Sequence, residues 1–285
     1  MASKSKQRRA AKGEAAPSRR SAPADSPETA VDQNRPSVWR ENFSSIVVTA
    51  ILFLFFTTFT AQAFEIPSES MEDTLLIGDR PFADNVVFAP PTKWLGPLLP
   101  YSEIRRGDII IFLHPKDPDR KHMVKRVIGL PGDRLKIVNR NVMINGHLLV
   151  EGYKLHKMGT IEPYRDNFPD AYPRELLEPD KYPQYTPWAD DLPKHVDKDG
   201  WLVIPPGQYF GMGDNRDWSL DSRYWGFIPR EHILGRALVI YWSVDFKRDE
   251  IAKDGPAMHI VHLLMALPFR TRWHRLFLTF PNPNG

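Results

Sequence analysis

The chain has 285 residues, 42% of them hydrophobic and 26% charged, which suits one or two folded domains and excludes global disorder. A formal net charge of +3 is only a slight basic excess and gives no reason to expect nucleic acid as a partner. With no cysteine, disulfides, iron–sulfur clusters, thiol catalysis and cysteine-ligated zinc are all excluded.

Residues 1–41 are rich in Ala, Ser, Lys, Arg and Pro, show no apolar period, and read as a disordered basic tail. A nucleic-acid-binding arm is the sharper alternative, but Glu14, Asp25, Glu28 and Asp32 dilute the basic run. Residues 42–64 contain no charge and no polar face. A helix of that length spans roughly 35 Å, enough for a bilayer core of about 30 Å, so a transmembrane anchor is predicted. Lys4, Lys6, Arg8, Arg9, Arg35 and Arg40 precede it. The positive-inside rule then puts the N-terminus in the cytoplasm and everything after Phe64 outside. Ala61-Gln62-Ala63 has the small-x-small form that ends a secretory leader. A leader ending at Ala63 would far exceed the usual roughly 15–30 residues, so a retained single-pass anchor is the expectation.

Residues 65–150 carry short β-branched runs, among them Val86-Val87-Phe88, Ile109-Ile110-Ile111-Phe112, Val127-Ile128, Leu135-Lys136-Ile137-Val138 and Val142-Met143-Ile144. Asn145-Gly146 is a hairpin signal leading into His147-Leu148-Leu149-Val150. The pattern predicts an all-β core of mostly antiparallel strands, a sandwich or barrel. In residues 151–200, prolines 163, 169, 173, 179, 183, 187 and 193 alternate with Tyr, Asp and Lys, which predicts a long excursion or a small subdomain. Residues 201–248 return to strand and turn chemistry and complete the core. In residues 249–285, the apolar stretch 259–268 is too short to span a bilayer. With Arg270, Arg272 and Trp273 beside it, it is either a helix packed on the domain or an element lying in the membrane interface.

Two segments could do chemistry together. Ile66-Pro67-Ser68-Glu69-Ser70-Met71 offers two hydroxyls that point to the same side if the stretch is extended. One could attack a carbonyl while the other donates to the developing oxyanion beside the Ser70 N–H. The bland alternative is a polar turn leaving a membrane helix. Lys125 lies in an apolar strand-like run. Facing inward, it would lose hydration, and its pKa would fall toward the range in which an amine can act as a base. Facing solvent, it would be an ordinary lysine. Residues 213–226 are dense in polar groups and read as a structured loop buttressing a site. A calcium loop built on Asp214, Asn215, Asp217 and Asp221 is the alternative, but the EF-hand glycine and terminal glutamate are missing. The nine histidines show no metal-ligand spacing, so no metal or other cofactor is expected.

Four segments, in order, resemble the boxes of the bacterial type I signal peptidases, the membrane-anchored Ser/Lys proteases: Ile66 to Met71, Arg105 to Phe112, Lys125 to Asp133, and Gly213 to Gly226. The resemblance covers residues 43–245. It implies Ser70 as nucleophile, Lys125 as general base, Ser68 as side-chain oxyanion donor, Ser219 as the group orienting the Lys125 ammonium, and Asp221 with Arg223 as a supporting ion pair. Ile66, Leu75 and Val124 become walls of a shallow pocket for the residue before the cut. The resemblance further implies preprotein signal peptides with small residues at P1 and P3 as substrate, bound as an added strand. Membrane lipid and the secretion translocon would be neighbours, and the site would lie outside the bacterial inner membrane. Glu69 stands where the family often has Gly, and Asp73 where it often has Pro; the carboxylate of Glu69 puts substrate entry and the lysine pKa in question. A catalytically dead scaffold, a secreted β-protein released after Ala63 and a self-cleaving repressor are the other readings. The last lacks a DNA-binding domain.

Overall fold

Ile109-Ile110-Ile111-Phe112 is apolar at every position and buried at every position, the mark of a strand covered on both faces. The computed structural model places this run in the middle of a sheet. It describes residues 38–55, 61–85, 87–88, 102–116, 122–170, 186–245 and 268–280. The strands are β1 (Ala61–Ala63), β2 (Asp79–Asp84), β3 (Ile109–Phe112), β4 (Met123–Gly129), β5 (Arg134–Val138), β6 (Asn141–Ile144), β7 (His147–Leu148), β8 (Leu202–Val203), β9 (Gln208–Met212), β10 (Ile228–Pro229) and β11 (Ile233–Ser243). Seven of them form one sheet in the order β1-β2-β11-β3-β4-β9-β10, and four form a second in the order β7-β6-β5-β8. Every pairing within the two sheets is antiparallel.

Side-chain patterning follows position in the sheets. The strand β4, between β3 and β9, is buried from Val124 onward, whereas β5 and β6 alternate and show one face to solvent. Asn145-Gly146 turns β6 into β7 with φ of 51 and 85°, the double left-handed geometry the dipeptide predicts. Asn139-Arg140 makes the same kind of turn between β5 and β6, at 46 and 69°, with only the asparagine as a cue. Three apolar clusters fill the body. One joins Ile128, Leu135, Ile137 and Phe210 to Phe168, Trp188 and Leu192, so the described parts of the 151–200 segment cover the sheet. A second holds Phe64, Ile66, Met71, Leu75, Val124 and Ile109. The third gathers Phe88, Ile110, Phe112, Val127 and Trp225.

The predicted anchor is shorter at its C-terminal end than the uncharged stretch. Helix α1 runs Val38–Phe55, and every described strand lies within residues 48–285. Residues 56–60 lie outside the described residues, as do 1–37. Among the described residues, no helix is long and apolar enough to cross a membrane. Ala61–Ala63 is a strand and not the end of a helix, paired with Phe82, Ala83 and Asp84. The reason is a ladder. The Phe64 N–H donates to the Pro81 carbonyl at 3.1 Å and the Ile66 N–H to that of Asp79 at 3.0 Å, while both side chains bury in the second cluster.

The stretch 259–267 also lies outside the described residues, but residues 268–280 belong to the body. Thr279 bridges to Val239 of β11 and Thr271 to Val244 just beyond its end. Arg275 reaches the fully buried Asp79, which also accepts from Ser243 Oγ at 2.6 Å and the Leu76 N–H at 2.8 Å. The Arg275–Asp79 contact is 2.6 Å. Removing one partner of a buried pair strands the other charge, so Arg275→Ala is expected to lower stability by about 3–5 kcal/mol in urea unfolding. A loss below about 1 kcal/mol would mean this segment is merely draped on the surface.

Candidate active site

The chain from Phe64 to Ile66 is tied to β2, and the 3-10 turn Glu69–Met71 comes directly after it. Ser68, before the turn, is extended (φ −140°, ψ 158°) and exposed, while Ser70 within it is 8% exposed. The two hydroxyls were expected to share one side of an extended strand. They do come together, at 3.3 Å between Oγ atoms, but through the turn. Glu69 is exposed beside the buried Ser70. Asp73 takes φ 71°, which a proline could not adopt. Leu75 N–H closes the segment onto the Met71 carbonyl at 2.7 Å.

Lys125 sits on β4 opposite Ile110 of β3, with 2% of its surface exposed. Its Nζ donates to Ser70 Oγ at 2.6 Å. Burial lowers the ammonium's pKa to about 8; the charge of Asp221 works against that shift, that of Arg223 with it, and that of Asp214 against it. An amine at this distance, neutral over an accessible pH range, can take a proton from the hydroxyl it touches.

The loop 213–223 holds both elements in place. Asp221 and Arg223 form a buried pair at 2.8 Å, and Arg223 also donates to the carbonyls of Arg216 and Arg165. Burial opposes ionisation of Asp221, but Arg223 and the Gly213 N–H hold its carboxyl below the usual range. Gly213 fits where nothing larger could: an added Cβ would lie 2.3 Å from both Ser219 Oγ and the Ser70 carbonyl oxygen. Ser219 is buried, and its Oγ has no hydrogen-bond partner. Ile66, Leu75 and Val124, the expected pocket walls, are all buried in the cluster around the turn.

Sequence reasoning missed several contributors. Arg126, next to the lysine, makes a two-pronged contact with the fully buried Asp214 at 2.8 and 2.7 Å and stacks over the Tyr153 ring at 3.9 Å. Thr74 Oγ1 donates to the same carboxylate at 2.6 Å, so one aspartate joins β4 to the segment just after the serine turn. Arg216 pairs with Glu151. The Lys125-Arg126 doublet and the Gly213-Asp214-Asn215 run were the only cues, and neither names a partner.

The donor chemistry disfavours a cation here. Asp214 and Asp221, offered as calcium ligands, each carry a guanidinium. His156, Asp166 and Asp217 bring ligand atoms within 4.8 Å of one another, yet Arg165 contacts both carboxylates and Arg140 contacts Asp166. These carboxylates are already neutralised.

Comparison with known proteins identifies the family. The family described as "Signal peptidase, peptidase S26" matches residues 39–242. Signal peptidase I of Aquifex aeolicus is 35% identical over 228 residues, covering 70% of this chain and 81% of its own. A probable signal peptidase I-2 of Synechocystis is 32% identical, covering 76% and 80%. A solved signal peptidase I from Enterococcus faecalis aligns with 47% of this chain and 97% of its own at 27% identity, with a TM-score of 0.33. The chain belongs to the signal peptidase family, peptidase S26, and stands among its type I members. It is a peptide-bond hydrolase acting on preprotein signal peptides.

The geometry sets two measurable outcomes. Because the folded pKa of Lys125 is lowered from 10.5 to about 8, the unfolded chain binds more protons between those values. The lysine's burden on stability is therefore complete below about pH 8 and lifts as pH rises toward 10.5. Lys125→Met should be more stable than wild type at pH 7, by at most about 3 kcal/mol, with the gain shrinking across that window. A pH-independent difference in urea midpoints would contradict the lowered pKa. Gly213→Ala should cut activity at least about tenfold while the sheets stay folded by circular dichroism, because the loop must retreat from Ser70. Wild-type activity would show the loop is not held against the turn.

Proposed function

We propose that this protein is a membrane-anchored serine endopeptidase that removes signal peptides through a Ser70/Lys125 dyad and an acyl-enzyme intermediate. The observation that carries the reading is the 2.6 Å hydrogen bond between a buried lysine amine and a buried serine hydroxyl. Neutral Lys125 takes the Ser70 proton as Oγ attacks the carbonyl of the residue before the cut. Negative charge collects on that oxygen, where the Ser68 hydroxyl and the Ser70 N–H receive it. Lys125 then gives its proton to the leaving amine, and afterwards takes one from the water that hydrolyses the ester. Ser219 Oγ serves as a polar partner for the ammonium while it is charged, and Asp221 with Arg223 fixes the surrounding field. Ile66, Leu75 and Val124, buried together in the cluster beside the turn, would supply the apolar walls for a small side chain.

The anchor is supported by the uncharged residues 42–60, which at 1.5 Å each would span about 28 Å, close to a bilayer core of about 30 Å. Within α1, Phe43, Ile46, Ile51, Leu52 and Phe53 are all exposed apolar side chains. The basic residues before the segment place the N-terminus in the cytoplasm and the β body on the outer face of the inner membrane, beside lipid and near the secretion translocon. There the cut site of a signal peptide emerges from its own apolar helix.

The test is cleavage of a preprotein by detergent-purified wild type, Ser70→Ala and Lys125→Met, read on a gel and by sequencing the new N-terminus. Wild type should cut after a small-x-small site and both variants should fall by about 10⁴-fold or more. Below pH 8, kcat/KM of wild type should drop about tenfold per unit, since only neutral Lys125 is competent. Cleavage by either folded variant at the wild-type rate would overturn the dyad. Alkaline carbonate should leave the full chain with the membrane and release a form lacking residues 1–60; extraction of the full chain would overturn the anchor.

A further inference from the structure

We propose that Asn215 is a positioning residue that aims the Ser70 N–H at the oxyanion. This rests on the proposed acyl transfer at Ser70. Asn215 is completely buried in the loop facing the serine turn. Its Nδ2 donates to the Glu69 carbonyl at 3.3 Å and to Glu72 Oε2 at 3.2 Å, and its own N–H donates to the Ser70 carbonyl at 3.2 Å. One side chain and its backbone thus hold both carbonyls that flank the Ser70 nitrogen and α-carbon.

The peptide joining Glu69 to Ser70 is planar and trans, so its C=O and N–H point in opposite directions. The Glu69 carbonyl also accepts the turn's own bond from the Glu72 N–H at 3.0 Å, and the Asn215 amide adds a second hold that keeps this carbonyl on the loop side and the Ser70 N–H turned away from it, to the open side of the turn where Ser68 is exposed. The amide cannot serve in the reversed orientation. Glu72 can only accept, and Lys157 Nζ grips the same Oε2 at 2.6 Å, so the NH₂ end must face the turn. An aspartate in this place would oppose a carbonyl and a carboxylate with a third acceptor. The nucleophilic hydroxyl has its own partner in Lys125. Asn215 therefore acts on the oxyanion side of the reaction and not on the base.

That separation makes the role testable by kinetics on the full chain in detergent. Asn215→Ala and the isosteric Asn215→Asp should lower kcat by about 10–100-fold, a part of the roughly 10²–10³ that losing an oxyanion donor costs. KM should stay within about twofold, and the acid limb near pH 8 should not move, because Lys125 is untouched. Combined with Ser68→Ala, the losses should be non-additive, since both act on one oxygen. Glu72→Ala, which frees the amide without opening the core, should lower kcat about three- to tenfold in the same pattern. Folded Asn215 variants with wild-type kcat, with a loss confined to KM, or with a displaced acid limb overturn the proposal. Should those variants fail to fold, Glu72→Ala decides by the same criteria. Inactive Ser70→Ala in the same assay keeps the parent reading intact, so a wild-type-like Asn215 variant refutes the positioning role alone.

Discussion

An amine in the middle of a sheet has lost the water that would hold its proton, and in this protein the remaining structure is arranged around that loss. Lys125 lies on a strand flanked on both sides, its Nζ bonded to one hydroxyl. Two carboxylates and a guanidinium stand near enough to act on it, and they act in opposite directions. Their opposition leaves desolvation as the deciding influence, which is why the shift is downward. Without Arg223 beside it, Asp221 would press the lysine's pKa upward with less opposition.

The buried ion pairs around the site answer the same requirement. A low-dielectric pocket that suppresses the lysine's charge cannot tolerate stray charges of its own, so Asp214 is met by Arg126, Asp221 by Arg223 and Glu151 by Arg216. Such pairs add little net stability, but they have strict geometry. Asp214 accepts from Arg126 on the base strand and from Thr74 beyond the serine turn, and this fixes the distance between two segments far apart in sequence. Gly213 lets the loop backbone lie against the Ser70 carbonyl. The loop therefore works as a clamp whose jaws are the turn and the strand.

Much of this was legible in the residues. The β-branched runs at 109–112, 135–138 and 142–144 became strands, whereas Val87 and Phe88 lie in a turn; Asn145-Gly146 became the left-handed turn it signals, and the order of the four polar and apolar boxes pointed to the right family. The end of the uncharged segment is decided by the fold, for a physical reason. Hydropathy alone cannot separate an apolar helix from an apolar edge strand, and Ala61–Ala63 with Phe64 is the latter because β2 offers it a ladder. The Ser68 and Ser70 hydroxyls were rightly expected to be neighbours but by the wrong backbone geometry, since a one-turn 3-10 element leaves no period to detect.

By itself the sequence determined the antiparallel β class, the residue types available for acyl transfer and the charge asymmetry about the apolar segment, because these are properties of composition and local pattern. It could not decide whether Lys125 faces inward or outward, since both choices fit the same alternation of apolar neighbours. It could not pair Asp214 with Arg126 or set Asn215 against Glu69, because those partners are 88 and 146 residues apart. Only the closing of β4 between β3 and β9, with the loop folded back on the turn, excludes water from the amine. That exclusion lowers the pKa of the lysine, which is what the proposed role of base requires.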